Sequence, residues 1–375
     1  MPKKKETGKG IDKTPVLITP AHPARPLIFW LLIIGLVFIL SIATVVGYFG
    51  IKVGNYLQAF TAEAHVSNQE LISLAREGWN TQAKMDDGRV NILLLGTDEL
   101  ANRTGDPIFT DTLMVLSLNT QSGELSALSL PRDLWIPEYQ TKVNSLYWYG
   151  NERTPDSPEL FTTQVLSELM DVPIHYSIVL SLDTVAEVID AVGGLDIFIQ
   201  KEFTDERFPR TDVDIRTETD PAKLYETVEF KKGIEKMTGE RALKYMRSRK
   251  SQDLEVGTDD ARNQRQQEII SALIQKIKDP ELVKQPQTLG KLFSIYNQDL
   301  NSFFPMTHGI SLAKLMGNKL YTLEFTPSTI PIKTPISEGV ITHPPVPKYD
   351  QWVYEVVEIT AFRNEVKKRL RITAE

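Results

Sequence analysis

A long uncharged apolar segment near the N-terminus constrains the architecture of this chain more than any other feature. Residues 27–51 read LIFWLLIIGLVFILSIATVVGYFGI, a run of 25 residues without a charged side chain. A helix needs about 20 such residues to cross the hydrocarbon layer of a membrane, whereas the apolar core of a cleaved signal peptide has only about 7 to 15. We therefore expect residues 27–51 to form a retained transmembrane helix rather than a removed signal peptide.

The charges before this segment predict its orientation. The first 26 residues contain six basic and two acidic side chains, namely Lys3, Lys4, Lys5, Lys9, Lys13 and Arg25 against Glu6 and Asp12. Because the cytoplasmic flanks of membrane helices carry the excess of basic residues, the N-terminus is expected in the cytoplasm. The sequence thus predicts a single-pass cell-membrane protein with a basic cytoplasmic arm at residues 1–26 and a large extracytoplasmic part after residue 51.

Composition argues against a nucleic-acid partner and excludes cysteine chemistry. The formal net charge of −7 argues against broad binding to nucleic acid, which needs a basic face, and a 26-residue arm is too short for a helix-turn-helix domain. We therefore expect no nucleic-acid partner. The chain has no cysteine, which excludes disulfides, thiolate metal sites and a cysteine nucleophile, and none of its 5 histidines falls within the motifs below.

Apolar periodicity organises the part after residue 51. Residues 52–88 carry apolar side chains at helical intervals and are predicted to form a membrane-proximal stalk. Between residues 89 and 300, the strand-like runs NILLL, LMVLSL, LSALSL, YSIVLSL and LDIFI accompany helical patterns near residues 159–170, 183–191, 238–246 and 259–278. This alternation predicts an α/β domain with a mixed central β-sheet flanked by helices.

The C-terminal region carries weaker signals. Residues 301–375 are expected to form an extension that packs on the domain or follows it. Prolines at 327, 331, 335, 344, 345 and 347 predict a long loop. A last helical stretch is expected to include Trp352 and Phe362.

Polar residues stand at the predicted ends of three strands. Asp98 follows NILLL in a turn, and ligands of open α/β sheets bind outside the carboxyl ends of strands. The strands at 112–118 and 125–130 are joined by NTQSGE, a hairpin turn that would bring Asp111 and Arg132 together at the same open edge. Without the other motifs, Asp98 is also explained as an ordinary turn residue. Asp111 and Arg132 are then also explained as a structural ion pair.

A stretch with several arginines follows, and its first part is KYMRSR. An extended backbone there would place Tyr245, Arg247 and Arg249 on one face of the chain. Convergent arginines suit phosphate because each guanidinium donates parallel hydrogen bonds and keeps its charge. The alternative is a charged surface that water solvates.

The second part of this stretch predicts the start of a helix. Asp259, Arg262 and Gln266 are spaced by three and four residues, which places all three on one helical face. An arginine near a helix N-terminus opposes the macrodipole, so an anion is expected to compensate it. Acidic residues beside a bound phosphate would hold magnesium, which prefers oxygen ligands.

Seven motifs in order carry a resemblance to a known family. They are NILLLGTD, TDTLMVLSLN, LSLPRDLWIP, KVNSLY, DAVGGLDIFI, TGERALKYMRSR and DDARNQRQQ. In this order and spacing they resemble the LytR-CpsA-Psr family of bacterial cell-envelope proteins, also called cell-envelope-related transcriptional attenuators. The resemblance covers residues 90–280.

The resemblance implies a phosphotransferase that moves a glycopolymer, such as a teichoic acid or capsular polysaccharide, from a polyprenyl-pyrophosphate carrier onto peptidoglycan. It further implies magnesium (Mg2+) and an apolar pocket for the lipid. On the matching motifs, the implied catalytic residues are Asp98, Asp111 and Arg132, and the implied magnesium ligands are Asp98 and Asp111. The implied pyrophosphate-binding residues are Arg132, Arg247, Arg249, Asp259, Arg262 and Gln266.

One position departs from the family's pattern. Many members have an arginine two residues before the second aspartate, where this chain has Phe109, and the nearest preceding arginine is Arg103. Two other functions stay open on the residues alone: a non-catalytic envelope regulator that acts as a transcriptional attenuator, and a polyprenyl-pyrophosphate phosphatase that uses water as acceptor. The short cytoplasmic arm argues against the regulator.

Overall fold

The computed structural model of this chain describes residues 39–41, 50–97, 108–210, 213, 218, 220–249, 251, 257–345 and 348–372. The chain divides into two units, Met1–Tyr56 and Leu57–Glu375. In the first unit the described residues, 39–41 and 50–56, are helical, and the rest of the predicted transmembrane segment lies outside the described residues. Across the described ranges, no helix is both long enough and apolar enough to cross a membrane.

A five-stranded mixed sheet forms the centre of the second unit. In spatial order it contains β11 (Glu324–Thr329), β3 (Glu124–Leu130), β2 (Thr110–Asn119), β1 (Arg89–Thr97) and β6 (Tyr176–Ser181). β2 runs antiparallel to β1 and β3, whereas β6 is parallel to β1 and β11 is parallel to β3. The carboxyl ends of β1, β3, β6 and β11 therefore meet the start of β2 at one edge of the sheet, which we call the carboxyl edge.

Helices and short strands surround this sheet. The helices are α1 (57–64), α2 (Asn68–Asn80), α3 (Leu146–Arg153), α4 (Glu159–Met170), α5 (Leu182–Ala191), α6 (Pro221–Leu224), α7 (Gly239–Arg247), α8 (Asp259–Lys278), α9 (Pro286–Ile295), α10 (Met306–Met316) and α11 (Ile359–Arg369). The short strands are β4 (Trp135–Ile136), β5 (Thr141–Lys142), β7 (Leu195–Ile199), β8 (Phe203–Pro209), β9 (Tyr225–Phe230), β10 (Gly233–Met237), β12 (Ile332–Lys333), β13 (Ile341–Thr342) and β14 (Glu355–Val356). They pair as β4 with β5, β7 with β10, β8 with β9, and β13 with both β12 and β14.

The two faces of the central sheet are covered by different helices. On one face, Leu93 and Leu95 of β1 are fully buried in a core that includes Phe362 of α11. On the other face, Val90 of β1 belongs to a core with Leu312 of α10. Because successive side chains of a strand point to opposite faces, the even-numbered residues of β1 share this second face. The sheet is thus covered on both faces, as its mostly apolar strands require.

A third core joins α5, α7 and α8 to the short strands β7 to β10. Phe203 and Phe230 stack there with ring centroids 4.9 Å apart, and Tyr245 of α7 packs against both. Helix α7 begins where it touches α5. A side chain at Gly239 would place its Cβ 2.3 Å from the carbonyl oxygen of Ala186, so this close approach requires glycine. The core therefore fixes α7 and α8 beside α5.

The structure confirms the α/β class with a mixed sheet and corrects two local expectations. Tyr245 and Arg247 lie in α7, not on an extended backbone, because the Thr238 hydroxyl caps this helix and Tyr245 fills the third core. Trp352 lies outside α11, the helix that contains Phe362. The C-terminal region also contributes a strand to the central sheet, β11.

Candidate functional site

A cavity of about 480 Å³ opens at the carboxyl edge of the central sheet. Its floor includes Leu94 and Gly96 of β1, which lie on the sheet face that α10 covers farther along. Residues of α5, α7, α8 and β8 form its walls. The cavity therefore lies where ligands of open α/β sheets commonly bind.

Helix α8 carries both polar and apolar parts of the cavity lining on one face. Arg262 and Gln266 line the cavity from its first two turns, and Ile269, Ile270 and Leu273 line it from the following turns. These positions repeat at three- and four-residue intervals, so they share a face of the helix. Along α8 the lining thus changes from charged and polar to apolar, which suits a ligand with an anionic head and an apolar tail.

The predicted start of α8 is confirmed. The Thr258 hydroxyl accepts a hydrogen bond from the backbone N–H of Ala261 at 3.1 Å and caps the helix. Asp259 is the first residue of α8, but its side chain lies outside the description. Arg262 follows within the first turn, and its side chain is only 5% exposed. A guanidinium at this depth, near the positive end of a helix, is placed for an anion rather than for helix stability.

Arg247 and Arg249 reach the same cavity from the end of α7. Arg247 is the last residue of that helix, and its guanidinium lies over the ring of Phe208, 5.5 Å from the centroid. Arg249 is held through its backbone, because its N–H donates to the carboxylate of Asp205 at 2.8 Å. The Asp205 carboxylate also accepts the N–H of Arg207 at 3.1 Å. This buried aspartate therefore connects two segments that both place arginines in the lining.

Arg265 fixes the end of α7 from the other side. Its Nε donates to the carbonyl oxygen of Tyr245 at 2.9 Å, and its Nη2 donates to the carbonyl oxygen of Ser248. The Tyr245 hydroxyl in turn donates to Glu268 at 2.7 Å. Burial and this acidic partner raise the pKa of Tyr245, so the hydroxyl stays protonated and keeps donating. Tyr245 and Arg265 thus position the loop that presents Arg249, and neither lines the cavity.

The predicted meeting of Asp111 and Arg132 is confirmed. Arg132 Nη1 donates to Asp111 Oδ1 at 2.8 Å, and Arg262 Nη1 lies 3.9 Å from Asp111 Oδ2. Arg132 also lies 3.4 Å from Asp133, whose other oxygen accepts a hydrogen bond from Lys142 at 2.7 Å. Asp111 lines the cavity with its side chain 28% exposed. The carboxylate thus stands between two guanidinium groups at the floor of the cavity.

The structure brings together most of the predicted site residues. Asp111, Arg247, Arg249, Arg262 and Gln266 line one cavity, and Arg132 supports it through Asp111. Asp98 lies outside the described residues, one position after the end of β1.

Sequence reasoning missed two charged residues of the lining, Asp205 and Arg207. Both lie on β8, two residues apart, and the strand-like spacing in TDERF was the signal that could have found them. Phe109, which stands where many family members have an arginine, is 39% exposed and does not appear in the described lining. Arg207 therefore supplies a guanidinium that the sequence motifs did not indicate.

A metal would find few protein ligands here. In the part of the chain that the structure describes, no three histidine, aspartate or glutamate side chains lie close enough to hold a metal ion together. Magnesium, however, is usually bound by one or two carboxylates together with substrate phosphates. Asp111 is such a carboxylate beside an arginine-lined cavity, so the described residues fit magnesium that arrives with a phosphorylated ligand.

Most of the chain matches one family profile. Residues 51–342 match the sequence profile of the LytR_cpsA_psr family. This match spans most of the chain, and the chain therefore belongs to this family, as its seven motifs predicted.

Named relatives from Bacillus species are transferases of teichoic acid. Over 305 residues the chain is 26% identical to the polyisoprenyl-teichoic acid–peptidoglycan teichoic acid transferase TagV of Bacillus subtilis (strain 168), covering 79% of this chain and 70% of the relative. Over 243 residues it is 26% identical to the corresponding transferase TagU of Bacillus cereus (strain AH820), covering 62% of this chain and 69% of that relative.

Solved structures share the fold. The crystal structure of B. subtilis TagV superimposes with a TM-score of 0.52 at 21% identity, covering 77% of this chain and 100% of that chain. A structure of TagT bound to LIIa-WTA gives a TM-score of 0.50 at 18% identity, covering 78% of this chain and 95% of that one. The likeness supports the same mixed α/β architecture with helices around a central sheet.

Proposed function

We propose that this chain transfers a glycopolymer, of the teichoic acid or capsular polysaccharide type, from a polyprenyl-pyrophosphate carrier to peptidoglycan. The observation that carries the proposal is the cavity itself. Four arginines, Arg207, Arg247, Arg249 and Arg262, line it together with leucine and isoleucine side chains of β1, α5 and α8. Membership of the family and the names of the relatives support the same activity.

The division of the lining assigns the parts of the donor. The guanidinium groups bind the two phosphates, because a planar fork matches phosphate oxygens with parallel hydrogen bonds. The apolar side chains Leu94, Leu180, Ile270 and Leu273 contact the first isoprene units of the carrier. A diphosphate without the lipid would therefore bind more weakly than the lipid-linked form.

The reaction needs no covalent enzyme intermediate. A hydroxyl of the acceptor attacks the phosphorus nearer the glycan, a new phosphorus–oxygen bond forms, and the bridging bond to polyprenyl phosphate breaks. The hydroxyl proton passes to a carboxylate, for which Asp111 and Asp98 are the candidates, and polyprenyl phosphate leaves as an anion. Phosphoryl transfer of this kind depends mainly on positioning and charge neutralisation, which the arginines supply.

Magnesium would neutralise part of the negative charge of the bound diphosphate. Asp111, and Asp98 from outside the described residues, would hold the ion, which supplies further neutralisation of the diphosphate when it is bound. Arg132 keeps one oxygen of Asp111 in place at 2.8 Å. Arg132 is therefore a positioning residue in this scheme.

We propose that the site lies on the extracytoplasmic side of the cell membrane. The uncharged segment at residues 27–51 and the basic residues before it support a single anchoring helix with a cytoplasmic N-terminus. Protease added to intact cells should remove the large unit and leave a small anchored fragment. A chain that stays fully protected, while a known surface protein in the same cells is cut, would contradict this topology.

Product analysis tests the function against its two alternatives. The detergent-purified chain is incubated with magnesium, a polyprenyl-diphosphate-linked glycan and a peptidoglycan acceptor, and the products are separated by mass spectrometry. The proposal expects a phosphodiester between glycan and acceptor, together with polyprenyl phosphate. Cleavage of the donor without any linkage to the acceptor would identify a phosphatase, and binding without turnover would identify a non-catalytic regulator.

A further inference from the structure

A second, larger cavity lies on the opposite side of α8. It is a groove of about 1200 Å³ between α8 and the C-terminal segments that carry β11, β12, β13 and Trp352. From α8, Gln264 and Gln267 line the groove, whereas Arg262 and Gln266 line the arginine cavity. Residues of a helix advance by about 100° each, so these two pairs face nearly opposite directions. One helix, about 10 to 12 Å across, therefore separates the two cavities.

Both cavities border the carboxyl edge of the sheet. The arginine cavity includes the ends of β1 and β6, at Thr97 and Ser181. The groove includes Thr329, the end of β11, which pairs in parallel with β3 at Ser129. Arg132 follows the end of β3 and points its guanidinium to Asp111 in the arginine cavity. The Asp111–Arg132 pair thus belongs to β2 and the end of β3, the strands that lie between β11 at the groove and β1 at the arginine cavity.

Hydrogen bonds attach one wall of the groove, α8, to the central sheet. The Gln267 side-chain amide donates to the Ser129 hydroxyl at 2.9 Å and to the carbonyl oxygen of Ser328 at 3.1 Å. These two bonds attach α8 to β3 and β11 at once. The α8 wall of the groove is therefore fastened to the two strands whose carboxyl ends border it.

An aromatic platform gives the groove its chemistry. The indole of Trp352 is 51% exposed and stacks on the ring of His343 with centroids 3.4 Å apart. His343 Nδ1 forms a hydrogen bond with the carbonyl oxygen of Val353 at 2.7 Å, and Tyr354 contacts the indole edge-on at 6.3 Å. One side of the indole is thus supported by a held ring while about half of its surface stays in solvent. Such an amphipathic ring offers large contact area at little conformational cost.

The rest of the lining is mainly neutral, with polar and apolar side chains mixed. Hydroxyl and amide side chains stand there beside prolines and isoleucines, and its only charged members within the described ranges are Lys333 and Arg369. Arg369 is already paired with Glu365, Nε to Oε1 at 2.7 Å. A strongly anionic polymer would find little charge to bind here. A sugar has apolar ring faces that stack on an indole and hydroxyl and N-acetyl groups that exchange hydrogen bonds with neutral side chains.

We propose that this groove binds the acceptor, a glycan strand of N-acetylated sugars, and directs one of its hydroxyl groups past the start of α8 to the bound diphosphate. The assignment rests on the proposed transferase function. In this arrangement the donor binds at the part of the carboxyl edge formed by β1 and β6. The acceptor binds at the part formed by β3 and β11.

The test measures binding of a neutral glycan and uses a matched tryptophan as control. Calorimetric titration measures the affinity of the detergent-purified full chain for the hexamer of β-1,4-linked N-acetylglucosamine. Trp352→Ala should weaken this binding at least tenfold. Trp79→Ala should leave it unchanged, because Trp79 is 62% exposed on α2 and does not line the groove.

In the transfer assay, Trp352→Ala should raise the KM for the acceptor and leave the affinity for the lipid-linked donor unchanged. Equal hexamer binding by wild-type protein and Trp352→Ala would overturn the groove assignment. A loss of polyglycerol phosphate binding, rather than of hexamer binding, in Trp352→Ala would overturn it too. Either result leaves the transferase proposal standing if the acceptor is still modified. Conversely, Trp352-dependent binding in a chain that never transfers would support the groove as a glycan site and overturn the transferase proposal.

Discussion

Replacing Arg262 with lysine is expected to weaken binding of a polyprenyl diphosphate by about 10- to 100-fold, which corresponds to ~1.5 to 3 kcal/mol for hydrogen bonds to a charged group. The Arg262 side chain is 5% exposed and lines the cavity at the start of α8. Lysine keeps the positive charge but loses the fork that binds two phosphate oxygens at once. Calorimetric titration of the detergent-purified chain with the lipid diphosphate measures the loss.

Arg241 provides the matched control for this substitution. It lies on α7, its Nε is 2.5 Å from Glu235 Oε1, and it does not line the described part of the cavity. Arg241→Lys should therefore leave the affinity for the diphosphate unchanged. If Arg262→Lys also binds with wild-type affinity, the guanidinium serves only to neutralise Asp111.

Replacing Asp111 with asparagine is expected to slow transfer by about 100- to 10,000-fold, the usual contribution of a positioned proton acceptor. Asparagine keeps the shape of the side chain and an oxygen for Arg132, but it loses the negative charge that accepts a proton or binds magnesium. The fold should stay intact by circular dichroism.

Magnesium should also bind more tightly with donor than without it in the wild-type protein, since carboxylate and phosphates share the ion.

Asp171 is the matched control for the carboxylate. It ends α4 in the left-handed region with φ 54°, which asparagine also adopts, and its carboxylate lies 2.7 Å from Lys367 Nζ. Asp171→Asn should transfer at the wild-type rate. Full activity of Asp111→Asn, or of protein stripped of metal by a chelator, would mean that the arginines alone neutralise the phosphates.

Local signals explain why part of the site was predictable from sequence. The spacing of Arg262 and Gln266 is a property of a short stretch of chain, and it correctly predicted the start and the polar face of α8. The turn after β2 is equally local, and it correctly predicted the meeting of Asp111 with Arg132. Hairpins and helix starts are specified by neighbours in sequence, so a reader of the sequence can find them.

Long-range packing explains what could not be predicted. Strand β11 reads EFTPST, and its partner β3 is distant in sequence, with Glu324 opposite Glu124. Its Pro327 is tolerated because β11 is an edge strand of the sheet, a position that no local pattern reveals.

The resemblance implied an apolar pocket, but the residues that line it were equally hidden. Leu94, Ile270 and Leu273 are the same residue types that fill the cores, and only the packing of α5 and α8 leaves space beside them. The extended reading of Tyr245 and Arg247 failed for the same reason, because burial of the tyrosine in the third core favours the helix.

The fate of the glycan-proximal phosphorus tests the central claim most directly. The donor is labelled with phosphorus-32 at that position and incubated with the purified chain, magnesium and peptidoglycan. The proposed reaction predicts that the label becomes covalently attached to the acceptor while unlabelled polyprenyl phosphate is released, and that Asp111→Asn forms this product far more slowly. Label that stays with the lipid, or that appears only in a soluble glycan phosphate, would contradict the account.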